Sequence, residues 1–180
     1  MRQQTTITIF IVISLIIAGG LAALPRYEQV QNTKQAAPEI KGSTWLNSSP
    51  LSLQALKGKV VMVEFWTYGC YNCVNVQPYL KEWYRKYQQA GFEIIAVHSP
   101  EFAHERDVDN VQNYVTRNQI DYPVVIDNDF NIWRSYANRY WPAMYLIDKN
   151  GRIRYRHMGE GAYARTEQMI KALLAEPSAS

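Results

Sequence analysis

The chain has 180 residues, 47% of them apolar and 13% aromatic, with 19 basic side chains against 16 acidic ones. That is enough to bury one sizeable core, and it excludes a disordered chain; with the charges scattered rather than clustered, it also excludes the electrostatic footprint of a nucleic-acid binder. The only two cysteines are separated by two residues, too few for a disulfide framework, so their use is chemical.

Ile7 to Leu24 is almost wholly apolar, with Arg2 as the only charge before it and Pro25-Arg26 after it. The run is close to the ~18 residues that begin to span a bilayer and longer than the usual signal-peptide core, yet Ala18-Gly19-Gly20 and Leu21-Ala22-Ala23 offer small-residue cleavage sites. Residues 1–24 are therefore expected to form a hydrophobic helix that is either a membrane anchor or a cleaved signal, with the length favouring the anchor. No Cys follows it, which excludes a lipid-anchored signal. Arg2 on the inside places the rest of the chain outside the cytoplasm, on the periplasmic side of an inner membrane or at the cell surface. Residues 25–41 are polar and without period, and read as a linker; 42–176 read as the folded domain and 177–180 as a polar tail.

Gly42 to Lys59 holds short apolar pairs broken by Asn47-Ser48-Ser49-Pro50, which suits a hairpin and a single helical turn. Asn47-Ser48-Ser49 also matches a glycosylation sequon and is taken as a turn. Val60 to Trp66 is a near-continuous apolar strand of the kind buried on both faces, interrupted by Glu64. Alternation puts Glu64 on the face of Met62 and Trp66, in or near the core. Then comes the turn with Cys70 and Cys73, and Val76, Leu80, Trp83, Tyr84 and Tyr87 at helical spacing up to Gly91, with Pro78 inside and a kink expected near Val74. Phe92 to Val97 closes a β-α-β unit with parallel strands.

Helical spacing returns at Val108, Val111 and Val115, followed by a short strand at Pro123–Ile126 and a short helix over Phe130–Tyr136. Trp141-Pro142 precedes a strand from Ala143 to Ile147, the turn Asp148-Lys149-Asn150-Gly151, and a strand alternating Ile153, Tyr155 and His157 with Arg152, Arg154 and Arg156. Asn-Gly is a strong hairpin signal, and the arginines read as a wet face. Met169, Ile170, Leu173 and Leu174 mark a last amphipathic helix.

A C-x-x-C at a strand-to-helix junction suits reversible disulfide chemistry. The first sulfur lies where helix amides and the macrodipole favour a thiolate, and the second is one turn on, close enough to close a ring. A structural zinc pair needs four ligands, and His98, His104 and His157 lack paired ligand spacing and read as surface or loop groups, so no metal is assigned.

Glu64-Phe65-Trp66, the C-x-x-C six residues after that Glu, Pro78 five residues after the second Cys and a late aromatic-Pro before a hairpin together resemble the thioredoxin fold. The segment from Phe92 to Asp127 resembles the exported TlpA-like reductases. Narrower still, Phe-Trp-Thr-Tyr-x-Cys-x-Asn-Cys (65–73), Val-His-Ser-Pro-Glu-Phe (97–102), Ile-Asp-Tyr-Pro-Val (120–124) and Tyr-Trp-Pro-Ala (140–143) look like the thioredoxin module of DipZ-type proteins. The resemblance covers roughly Gly42 to Leu174. It implies an α/β, thioredoxin-like fold: a central mixed sheet flanked by helices, with an extra helix and strand after the first β-α-β unit.

The resemblance also implies roles. Cys70 would attack a target disulfide and Cys73 resolve the mixed disulfide, with Glu64 as the buried acid-base group serving Cys73. A carboxylate merely paired with a buried cation such as Lys59 is the alternative for Glu64. Pro142 would be a cis-proline facing the cysteines, letting the Trp141 backbone pair with an extended substrate segment. Tyr68 and Tyr71, with Trp141, would form an aromatic rim, and Trp66 would be core. The expected activity is thiol:disulfide exchange without a cofactor. Its partners would be protein disulfides and, because DipZ-type proteins carry a multi-span electron-transferring segment that this chain lacks, a separate membrane thiol-electron donor of the DsbD/CcdA-like kind. The alternatives are a thiol peroxidase, which needs a Pro that the segment Glu64–Cys70 does not supply, and a copper or haem-assembly chaperone using the thiols as ligands. Gly69 stands where the family has a small hydroxyl residue, and Tyr71 where it more often has an aliphatic one.

Overall fold

A computed structural model describes residues 35–177. The expected N-terminal hydrophobic helix over 1–24, the first part of the linker and residues 178–180 of the tail lie outside the described residues.

The sheet is built around β2 (Val60–Trp66), every residue of which is buried. A strand that apolar on both sides needs cover on both faces of the sheet, and the segments packed on either side supply it. β2 pairs in parallel with β3 (Phe92–His98) and antiparallel with β5 (Ala143–Ile147), so the sheet is mixed. Outside β3 lie β4 (Val124–Ile126) and then β1 (Trp45–Leu46); outside β5 lies β6 (Ile153–Met158), giving the order β1-β4-β3-β2-β5-β6.

Alternation along β2 divides the core in two. Val60, Met62 and Trp66 pack with α1 (Tyr71–Tyr87), α2 (Val108–Arg117) and α4 (Tyr163–Ala175) through Val76, Leu80, Trp83, Val111, Val115, Ile170 and Leu173. Val61, Val63 and Phe65 pack on the other face with Leu53, Leu56, Ile132, Tyr136 and Tyr145, where α3 (Asn131–Ser135) lies. The inserted α2 and β4 follow β3 as expected, and α1 runs as one helix with Pro78 inside it.

Two expectations need correction. Trp45-Leu46 forms no hairpin with the segment after it; it pairs antiparallel with Val124–Val125, about eighty residues away. The helical turn does form, with the Leu56 N–H donating to the Ser52 carbonyl at 3.1 Å. Asn47 makes the turn between them in the left-handed region (φ 64), its side-chain amide donating to the carbonyls of Ile120 (2.8 Å) and Tyr122 (3.0 Å). The described end of the linker, 35–41, is docked rather than tethering. Ile153 N–H donates to the Gln35 carbonyl and Ala37 N–H to that of Gly151, Ile40 is buried, and the Glu39 carboxylate accepts the Leu53 N–H at 2.6 Å. The packed unit therefore begins before residue 42.

Arg154 departs from the wet face read for its strand. It bridges Asp148 (3.1 Å) and Glu176 (2.9 Å), tying the β5–β6 turn to the end of α4.

Candidate active site

β2 delivers the chain directly into the turn Thr67–Cys70, and α1 starts at Tyr71. Cys70 is the N-cap: it has extended backbone (φ −80, ψ 111), its carbonyl accepts the Val74 N–H at 3.1 Å, and its Sγ accepts the Cys73 N–H at 3.2 Å. An N-cap position leaves amide donors without helical partners, and here one of them points at sulfur, which favours the anionic form of Cys70 when reduced. Cys70 and Cys73 are joined as a disulfide with Cα atoms 5.2 Å apart, within the ordinary range for such a bridge. The sulfurs differ in access: Cys70 is half-buried and Cys73 is wholly buried, packed on the core face of Met62 and Trp66.

Glu64 points to that same face and is 1% exposed. Burial pushes its carboxyl up to about 8. Tyr114 and Tyr122 pack into the core on that face, and their pKa values are raised, mainly by their own burial with the Glu64 carboxylate contributing. The cation considered for it is engaged elsewhere, since Lys59 pairs with Glu93 at 3.4 Å across β2 and β3. Glu64 is thus a buried carboxyl that stays largely protonated at neutral pH, with no ion-pair partner among the described residues to hold it charged.

The Trp141–Pro142 peptide bond is cis. The register pairs Phe65 with Ala143, so Pro142 lies beside the end of β2, where the turn to the cysteines begins. Trp141 is fixed by its indole N–H donating to the Ser99 carbonyl (2.9 Å) and by packing at a tilt against Trp133, with ring centroids 4.3 Å apart. Of the expected rim, Tyr71 stands 77% exposed beside Cys70. Tyr68 does not stand free. It is half-buried, its hydroxyl donates to the His104 carbonyl at 3.0 Å, and its ring stacks on His98 and Tyr114. Trp66 is core, as expected.

Three residues of the site were not legible as such. His98, read as a surface or loop group, is wholly buried at the end of β3, edge-on to Trp66, with its Nε2 3.2 Å from the Thr67 hydroxyl. Burial lowers its pKa to about 4, so the ring is neutral. Thr67 is likewise fully buried. Glu105, in the short 3₁₀ turn Ala103–Arg106, is buried with its Oε1 accepting the Gly69 N–H at 3.0 Å. The motif Val97–Phe102 signalled that this loop matters; nothing local signalled the reach of Glu105 to Gly69, 36 residues away.

Comparison with known proteins agrees with this geometry. The AhpC/TSA family profile matches residues 33–156. The chain is 44% identical over 142 residues to Protein DipZ of Mycobacterium tuberculosis, covering 77% of this chain and 20% of DipZ, so it spans about a fifth of that relative's length. It is 33% identical over 172 residues to the thiol-disulfide oxidoreductase ResA of Bacillus thuringiensis, covering 92% of this chain and 95% of ResA. Among solved structures, a thiol-disulfide isomerase from Corynebacterium glutamicum superposes with a TM-score of 0.69 at 26% identity, covering 78% of this chain and 98% of the other. The chain belongs to the AhpC/TSA family, as a thioredoxin-like member of the thiol-disulfide oxidoreductase kind.

Proposed function

We propose that the chain is an exported reductase of protein disulfides, held by its N-terminal apolar run at the outer side of the membrane and recharged by a membrane thiol-electron donor. The observation that carries the chemistry is the asymmetry of the pair: Cys70 half-buried at a helix N-terminus, Cys73 wholly buried on the face of Glu64.

The Cys70 thiolate attacks one sulfur of a target disulfide. A mixed disulfide forms, and the first target sulfur leaves as a thiolate that takes a proton from water. Cys73 then gives up its proton and attacks Cys70 Sγ, expelling the second target sulfur, which is protonated in turn. Two electrons have passed from the dithiol to the target, and the Cys70–Cys73 disulfide remains. A donor dithiol reverses this at Cys70 to restore the pair. Glu64 lies on the same core face as Cys73 and is suited to take its proton: with a pKa of about 8 a minority of the carboxyl is ionised near neutral pH, and that form is the acceptor. Trp141 and cis-Pro142 lie beside the end of β2, from which the cysteine turn leaves, and an extended target segment would pair there. Cytochrome c maturation supplies one client class that fits an exported reductase.

The test is the reduction potential of the pair against glutathione, together with its redox state in cells. A low potential and a reduced pair support the reductase; a high potential and an oxidised pair make the protein a disulfide-forming catalyst instead. Cys73→Ser should accumulate mixed disulfides with its targets, and their identification reports the clients and the compartment. Turnover of peroxide without a disulfide substrate would replace this reading with a peroxidase.

A further inference from the structure

Glu105 is a buried carboxylate that no requirement of the sheet explains. It follows β3 by seven residues; one oxygen caps its own 3₁₀ turn at Phe102, as an acid at that position ordinarily does, but the other reaches out of the turn to the loop that leads into Cys70. Oε2 accepts the N–H groups of Glu101 (2.6 Å) and Phe102 (2.9 Å), and Oε1 accepts that of Gly69, the residue immediately before Cys70 (3.0 Å). The Thr67 hydroxyl, which meets His98 Nε2 at 3.2 Å, also helps to hold the carboxylate's pKa down. Burial by itself would raise the pKa of Glu105, but these donors outweigh it and hold the group below the usual carboxylate range. It is therefore an anion at neutral pH, next in the chain's packing to the residue that precedes the attacking thiol.

Gly69 completes the arrangement. A Cβ built on it would fall well inside the contact distance of Glu105 Oε1, with Phe102 just beyond. A long side chain can usually swing away, but this one is pinned by backbone N–H groups on both of its oxygens. Gly69 stands here because Glu105 occupies the space that a side chain at 69 would take. The two are a matched pair across 36 residues of sequence.

We propose that Glu105 is a positioning residue for Cys70: its carboxylate fastens the turn Thr67–Gly69 to the loop Ser99–Glu105, so that the attacking sulfur is presented at the start of α1. The device serves either direction of electron flow, so it stands independently of whether the protein reduces or oxidises its targets. It also has an electrostatic consequence. A fixed negative charge beside Cys70 opposes its ionisation, against the helix N-terminus that favours it. The site holds its geometry at some expense in thiolate.

An ordinary buried cap would contribute stability and nothing more, so the test reads the thiol itself. The full chain is reduced, and the rate of Cys70 alkylation by iodoacetamide is followed against pH, with reaction toward glutathione disulfide measured in parallel. In Glu105→Gln the side-chain volume is kept, but the charge is lost and an amide N–H₂ must face an N–H donor. The alkylation profile should shift to lower pH, because the opposing anion is gone. The rate with glutathione disulfide, compared at equal thiolate, should fall about tenfold, because Cys70 is no longer held in line. A cycle of Gly69→Ala, Glu105→Ala and the double variant supplies the second arm and tolerates loss of stability in any one member. Gly69→Ala alone should lose more activity than the double variant, since removing Glu105 opens the space the new methyl needs. An unmoved pH profile in Glu105→Gln, or losses that simply multiply in the double variant, overturns the proposal.

Discussion

Glu64→Gln separates a titrating carboxyl from a merely buried polar group. In the oxidised protein neither cysteine titrates, so the pH dependence of stability reports other groups. Between the ordinary carboxylate value of 4.5 and about 8, the unfolded chain has released a proton that the folded chain keeps. Stability contributed by the protonated form is therefore fully present below pH ~4.5 and is lost as pH rises, by about 1.4 kcal/mol per pH unit. Across the window this sums to on the order of 5 kcal/mol, enough to consume a large part of a typical domain's stability. Glu64→Gln preserves volume and cannot ionise, so its stability should stay flat where the parent's declines. Urea unfolding of both oxidised proteins at steps from about pH 5 to about pH 9 gives the difference directly, and contributions from other titrating groups cancel in it. Kinetically, the same variant should leave the first attack by Cys70 almost intact while slowing decay of the mixed disulfide about a hundredfold. Parallel stability curves for parent and variant would mean that Glu64 ionises as it would in water. Unchanged mixed-disulfide decay would mean that the proton of Cys73 leaves by another route.

Further expectations concern groups around the site and away from it. His98, neutral with a pKa of about 4 in the fold and 6.5 ordinarily, should destabilise the protein as pH falls between those values, where only the unfolded chain takes up the proton. His98→Gln should remove up to about 3 kcal/mol of that acid sensitivity, and an unfolding midpoint with the parent's slope between pH ~6.5 and pH ~4 would contradict the assignment. Tyr71, at 77% exposure beside Cys70, should matter for protein targets alone. Tyr71→Ala should slow insulin reduction several-fold and leave reaction with glutathione disulfide unchanged; equal effects on both would place it in the chemistry rather than in docking. Arg154→Ala removes the two bridges from Asp148 and Glu176, one partner nearly buried and the other partly exposed. It should cost about 1–2 kcal/mol, read as a fall of a few degrees in Tm, with the reduction potential unmoved.

The elements were legible wherever their signal is local. An apolar run of β-formers, a turn, then apolar residues at helical spacing determine β2, the cysteine turn and α1 before any tertiary contact is known, because side-chain period and capping are properties of neighbouring residues. The cysteines' position at a helix start, Glu64 on the inward face with Met62 and Trp66, and the Asn150-Gly151 hairpin follow from the same arithmetic. Trp45-Leu46 misled for the complementary reason: two apolar residues carry no information about which strand will accept their hydrogen bonds, and the partner lies at Val124–Val125. Residues 35–41 look like tether by composition, yet their backbone groups find partners in the distant β5–β6 turn and β6.

What the sequence by itself determined is the reactive pair, its place at the mouth of a helix and the acid buried behind it, all within ten residues of one another. What only the tertiary structure decided is the environment of that pair. His98 is a loop residue by its neighbours and a core residue by its packing under Tyr68 and Trp66. Gly69 is a departure from a pattern until Glu105, 36 positions on, is found filling the space beside it. Local rules read periodicity along the chain; burial, and the meeting of a carboxylate with the amide it anchors, arise only when separate segments are brought together.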